Sequence, residues 1–86
     1  MIFQRAERFV EAYDALPTFI RKKVEKALLL FEQNPRHPSL HVEKIDFARN
    51  IWSARVDLNH RFTFQWISGG IHLRNVGTHQ AAYRKP

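Results

Sequence analysis

The sequence predicts an α+β fold: an N-terminal helical hairpin packed on a small twisted antiparallel β-sheet. Three observations carry this. Apolar residues recur at helical spacing as far as Phe31, and they alternate at period two from Leu40 onward. Gly and Pro fall between elements as punctuation. A chain of 86 residues is expected to form one domain, 1–86, burying roughly 60–65% of the surface its unfolded form exposes.

Met1 to Gln4 carries a weak signal for a short strand. Ala6, Phe9, Val10, Tyr13 and Leu16 then form one helical stripe. Pro17 suits the opening turn of a second helix, whose apolar face is Ile20, Val24, Ala27, Leu28 and Phe31. Asn34-Pro35 ends it, because the residue before a proline is pushed away from helical conformation. The short link between the helices predicts an antiparallel hairpin. Arg21, Lys22, Lys23 and Lys26 lie on the outer face of the second helix, either as a solvated surface or as a docking surface for phosphates or an acidic partner.

The second half reads as strands with one buried and one open face. Leu40 and Val42 alternate with His41 and Glu43. Trp52, Ala54, Val56 and Leu58 alternate with Ser53, Arg55 and Asp57. Phe62, Phe64 and Trp66 alternate with Arg61, Thr63 and Gln65, and all three aromatics are assigned to the core. Ser68-Gly69-Gly70 is a hairpin turn. In the last strand the apolar phase runs Ile71, Leu73, Val76. That odd step predicts a one-residue bulge near Asn75, which returns Val76 to the core and turns Gly77 and His79 to the open face.

Composition limits the chemistry. There is no cysteine, so disulfides, thiolate catalysis and Cys-based zinc sites are excluded. The net charge of +6 predicts an anionic partner. No apolar run approaches the ~20 residues of a membrane span, and the start lacks a signal-peptide layout, so the expected setting is cytoplasmic. His37 and His41 are spaced like metal ligands, but Pro38 argues against a helix between them, and no metal or small-molecule cofactor is expected. Gly69-Gly70 reads as a turn, not a phosphate loop.

The open face gathers Glu43, His41, Arg55, Arg61 and His79, with Tyr83 close behind. Such a set suits phosphodiester chemistry. Arginine grips phosphate oxygens and stabilises developing charge. A carboxylate can take the proton of a ribose 2′-hydroxyl, and an imidazole, with a reference pKa near 6.5, can protonate the leaving 5′-oxygen. The plain alternative is that Glu43 only pairs with a neighbouring cation. On this reading Arg61 stands beside Arg55 as an exposed residue whose loss leaves folding nearly intact.

Several segments together resemble the RelE/ParE toxin superfamily over nearly the whole chain. They are Leu16-Pro17, Asn34-Pro35 with His37-Pro38-Ser39-Leu40, Trp52-Ser53-Ala54-Arg55-Val56, His60-Arg61-Phe62-Thr63-Phe64, and Leu73-Arg74-Asn75-Val76-Gly77-Thr78-His79. Trp-Ser-x-Arg followed by His-Arg is most similar to the YoeB branch. Gly77-Thr78-His79 with an aromatic four residues later is similar to the YafQ branch.

The resemblance implies a RelE-like fold and the toxin of a bacterial toxin–antitoxin module. It implies a metal-independent endoribonuclease that cleaves mRNA, commonly on the ribosome, with an acidic antitoxin as protein partner. By position, Glu43 resembles the general base, Arg55 and Arg61 the phosphate-binding arginines, His79 the general acid and Tyr83 the C-terminal aromatic that positions substrate. His41, Lys44 and Arg74 join Arg55 as expected RNA contacts. Thr78, Ser53 and Ala54 stand where basic residues occur in the RelE branch, and Gln80 where an acidic one is common, so this site is leaner in charge. Two other activities share the fold: inhibition of DNA gyrase, as in ParE-type members, and an inactive homologue acting with its antitoxin in autoregulation.

Overall fold

The computed structural model describes all of residues 1–86. The elements are β1 (Ile2–Arg5), α1 (Glu7–Asp14), α2 (Thr18–Gln33), a 3₁₀ turn (Pro38–Leu40), β2 (Glu43–Asp46), β3 (Ile51–Arg55), β4 (His60–Ile67), β5 (Gly70–Thr78) and α3 (His79–Arg84). The α+β reading holds. The sheet order is β1-β5-β4-β3-β2.

α2 is helical because its apolar residues at 20, 24, 27 and 31 form one stripe, and all four are buried. Asn34 ends it in extended conformation, as Pro35 requires. The link to α1 is stapled by Arg21, whose Nη1 donates to the carbonyls of Asp14 and Leu16 at 3.2 and 2.9 Å. Arg21 is therefore a structural residue of the hairpin, while Lys22, Lys23 and Lys26 stay exposed.

β3, β4 and β5 pair antiparallel and present Ala54, Phe62, Phe64, Ile71, Leu73 and Val76 to the helices. Phe31 of α2 is the centre of this layer. Its ring meets Phe62 at 6.0 Å and Phe64 at 5.1 Å, both edge to face. Burying one such phenylalanine stabilises by roughly 1.5–3 kcal/mol.

Four expectations need correction. The sheet is mixed, since β1 pairs parallel with β5 from Ile2↔Gly70 to Arg5↔Leu73. Leu40 does not begin a strand: it closes the 3₁₀ turn, and His41 follows at φ 42. Two alternating apolar residues are too few to fix a strand against Pro38 at the head of a 3₁₀ turn. Leu58 lies in the β3–β4 loop, 84% exposed, and Trp66 is 44% exposed at the margin of the core.

The predicted bulge is present. Thr63 pairs with Asn75, but Phe64 pairs with Leu73, so Arg74 is the extra residue. Val76 returns to the core at 3% exposure.

The hairpin between β4 and β5 turns at Ser68-Gly69, with Gly69 at φ +78. Gly70 is needed for a different reason, because β1 passes so close that a Cβ there would lie 1.9 Å from the Ile2 carbonyl oxygen. Gly70→Ala should therefore release β1 from the sheet. The amide of Ile2, which donates to Gly69 O at 2.9 Å, should lose its hydrogen-exchange protection while amides of β3 and β4 keep theirs.

Candidate active site

Strand register builds one polar surface on the sheet face away from α2. Glu43 pairs with Ser53, and Ser53 with Thr63. One row along, Arg55 pairs with Arg61, and Arg61 with Gly77. Directly paired residues share a face, so Glu43, Ser53, Arg55 and Arg61 are neighbours there.

Arg61 is not exposed. It is 6% accessible, and its charge is satisfied from three sides. Nε donates to Ser53 Oγ at 3.1 Å, and Nη2 donates to the His41 carbonyl at 2.7 Å. The Tyr83 ring covers it, 5.9 Å from the guanidinium carbon. Nη2 also stands 4.0 Å from Glu43 Oε1. A buried charge is tolerated only when paired and hydrogen-bonded. Parity along β4 set its face, but the cover comes from α3 and from the turn at His41.

Tyr83 joins the set. Its hydroxyl donates to Glu43 Oε1 at 2.5 Å and lies 2.9 Å from Ser53 Oγ. Burial, then the bond to Glu43, lifts the phenol above its usual value, against Ser53 and Arg61, which lower it. Tyr83 therefore stays a neutral hydrogen-bond donor across the physiological range. Ser53, fully buried, is the hub of this network; reading by charge passed over it because its hydroxyl carries none.

His79 does reach this surface, though not by strand parity. The strand ends at Thr78, whose hydroxyl caps α3 by accepting from the Ala81 amide. His79 is then the first residue of the helix, exposed, with its ring stacked on Tyr83 at 4.2 Å and 21°. Its backbone N–H donates to the Asn59 carbonyl at 2.8 Å. The β3–β4 loop that presents this carbonyl is shaped by Asp57, whose Oδ1 accepts from the Asn59 and His60 amides, each at 2.8 Å, and lies 2.9 Å from His60 Nδ1. Burial raises the Asp57 carboxyl, but the bonds from His60 and Asn59, the His60 charge and Lys23 bring it below its ordinary value. Asp57 and Asn59 are thus positioning residues that the sequence analysis missed; an Asp two residues before Asn59 is the turn signal that marks them.

Arg55 is half-buried and lines a groove with Lys23 and Lys26 of α2. Three expected contacts lie elsewhere. Lys44 follows Glu43 in the strand and points to the opposite face, its Nζ 5.0 Å from the Phe47 ring centroid and 5.9 Å from that of Trp52. His41 gives the site its carbonyl, while the residue lines a groove toward Trp52 and Trp66. Arg74, as the bulged residue, is turned toward the chain end, donating to Pro86 O and Gln65 Oε1, each at 3.1 Å. Its pKa is lowered by burial and by the charges of Arg49 and Arg8.

A five-stranded sheet with an N-terminal helical hairpin and a short C-terminal helix over its polar face is the fold of the RelE/ParE toxins. The chain superposes on a YoeB/ParE toxin from Agrobacterium tumefaciens with a TM-score of 0.74 at 16% identity, covering 92% of this chain and 99% of that one. It superposes on YafQ from E. coli strain BL21(DE3) with a TM-score of 0.76 at 12% identity, over 93% and 94% of the two chains. A RelB–RelE antitoxin–toxin complex from Methanococcus jannaschii gives a TM-score of 0.72 at 21% identity, over 94% and 95%. No family model and no curated protein sequence matches the chain. At these identities the likeness defines the fold.

Two outcomes follow from the geometry. Arg61→Ala leaves the His41 carbonyl and the Ser53 hydroxyl without their donor, at a cost of about 1–3 kcal/mol. For a chain of this size each 1 kcal/mol lowers Tm by roughly 4–8 °C, so calorimetry should show a clear drop; an unchanged Tm contradicts the structural role. Asp57→Ala should abolish the nuclear Overhauser contact between the His79 and Tyr83 rings while the core stays folded. A persisting contact means that the loop does not set His79.

Proposed function

We propose that this chain is the toxin of a bacterial toxin–antitoxin module and a metal-independent endoribonuclease acting on mRNA, with the ribosome as the place of action. The observation that supports it is the convergence of a carboxylate, a covered guanidinium, a phenol and an exposed imidazole on one sheet face. These groups are drawn from β2, β4 and α3, around Ser53 of β3.

Each group has a role in this reading. Glu43 takes the proton of a ribose 2′-hydroxyl, which enters where the Tyr83 hydroxyl now sits. The freed 2′-oxygen attacks the adjacent phosphorus, and the P–O5′ bond breaks. His79, protonated, gives its proton to the departing 5′-oxygen. The products are a 2′,3′-cyclic phosphate and a 5′-hydroxyl, and the two side chains supply both proton transfers. Arg55 is the more accessible of the two guanidiniums and holds a phosphate oxygen. Arg61, kept 4.0 Å from Glu43, steadies the charge that develops in the transition state. Tyr83 holds the base in place before substrate arrives.

The expected partner is an acidic antitoxin segment that folds on binding, consistent with a net charge of +6. The expected setting is the cytoplasm; no helix here is long and apolar enough to cross a membrane. A second reading, an inactive homologue serving with its antitoxin in autoregulation, is favoured by the burial of Arg61 beneath Tyr83.

Primer extension on mRNA in a translating extract separates these readings. New cleavage sites support the ribonuclease. Blocked translation with intact mRNA, or gyrase-dependent DNA breaks, sinks it. Within the ribonuclease reading, His79→Ala should slow cleavage by ~10²–10⁴-fold, the usual scale of acid–base assistance. The loss should shrink on a 5′-phosphorothiolate, whose sulfur leaves without a proton. Equal losses on both substrates would remove His79 from the acid's role.

A further inference from the structure

The sheet face opposite the candidate site carries a second feature. Trp52 of β3 and Trp66 of β4 meet edge to face, with centroids 6.4 Å apart. Phe31 and Phe64 back Trp66 at 5.4 Å each, yet Trp66 remains 44% exposed. The pair forms a ridge between two grooves. One is bounded by Pro35, Arg36, His37, Pro38, His41 and Val42, the other by Lys44, Arg49, Asn50, Gln65 and Ile67, and both indoles line both grooves.

Neither groove has a carboxylate in its wall. The cations around the ridge are Arg36, Lys44 and Arg49, with His37 and His41 between them. Lys44 is held over two aromatic rings. Asp46, at the end of β2, is occupied by Arg49 Nε at 2.7 Å. Phe47, 75% exposed, extends the aromatic surface.

We propose that this ridge is a base-stacking subsite for single-stranded RNA, taking nucleotides that flank the cleaved bond. Exposed aromatic faces bordered by cations are what single-stranded nucleic acid binds without sequence preference. A helical protein segment would need a continuous apolar floor, and here the apolar groups are the two indoles with Phe47, Val42, Ile67 and two prolines, set among Arg36, Lys44, Arg49 and two histidines. Continuity with the candidate site decides the occupant. His41 lines the first groove and gives its carbonyl to Arg61. Its left-handed turn, φ 42, sends the chain from the groove directly into β2 and Glu43. A strand leaving the reacting phosphate around the free edge of β2 therefore reaches Trp52 and Trp66. The subsite deepens the ribonuclease reading and rests on it.

The chain has two tryptophans, both in the ridge, so tryptophan emission, excited at the red edge where Tyr13 and Tyr83 do not absorb, reports on this surface alone. The probe is a short 2′-O-methyl oligoribonucleotide, which cannot be cleaved. Titration should quench the wild-type emission saturably, and should also quench each single-tryptophan protein, Trp52→Phe and Trp66→Phe. Arg36→Ala with Lys44→Ala removes two phosphate contacts without touching the core. It should weaken binding about tenfold and flatten the slope of log affinity against log salt by roughly 1.4, at about 0.7 per phosphate on single strands. Absence of quenching overturns the subsite, as does quenching by an acidic peptide alone, which would make the ridge a protein-docking surface. Cleavage of mRNA in the translating extract without quenching by the oligonucleotide defeats the subsite and leaves the ribonuclease reading intact. Quenching with intact mRNA sinks the ribonuclease reading and overturns the placement beside a cleaved bond, leaving only an RNA-binding ridge.

Discussion

The polar half of the molecule depends on keeping one guanidinium out of water. Arg61 sits at 6% exposure with its donors spent on Ser53 and the His41 carbonyl. An unpaired charge at that depth would cost several kcal/mol, so every group around it is constrained to face it. The chain before β2 must turn its carbonyl inward, β3 must offer a small hydroxyl at 53, and α3 must lay a flat ring over the top. Glu43 and His79 are located by these demands, the first through Tyr83 Oη and the second through stacking on the same ring.

This makes Tyr83 the common element of two halves that strand pairing alone would leave independent. Glu43 is on the outermost strand at one edge of the sheet, and His79 begins a helix after β5. The phenol is near enough to hold the carboxylate and flat enough to carry the imidazole. The arrangement resists loss of the Glu43 side chain's orientation in the free protein, and the raised phenol pKa keeps it a donor under ordinary conditions.

Much of this was legible from residue order. The alternation of Phe62 and Phe64 placed Arg61 on the polar face, and the odd step from Leu73 to Val76 announced the bulge that puts Gly77 opposite Arg61. Lys44 was expected among the RNA contacts of the site, although its parity against Glu43 assigns it to the other face, where its Nζ lies over Phe47 and Trp52. What covers a residue was not legible. The burial of Arg61 comes from Tyr83, far along the chain, and from a carbonyl, which no side-chain pattern encodes. Ile2 to Arg5 has too few residues to show a period, and nothing in them signals a parallel partner. His79 was reached for a reason that sequence parity could not supply, because its placement follows from where the strand stops and the Thr78 cap begins.

The parallel pairing of β1 with β5 bears on how the chain is made. Residue 2 finds its partner at residue 70, a contact of high sequence separation, and such contacts form late and slow folding. During synthesis the N-terminal strand and the helices emerge first, but the sheet has no strand for β1 until the hairpin after Ile67 has cleared the ribosome. Until then the apolar sides of α1 and α2 have no complete layer to cover. Assembly of Glu43, His79 and their supports is thereby tied to the emergence of β5 and α3, and a chain interrupted before Gly70 lacks both that strand and the helix that bears the imidazole.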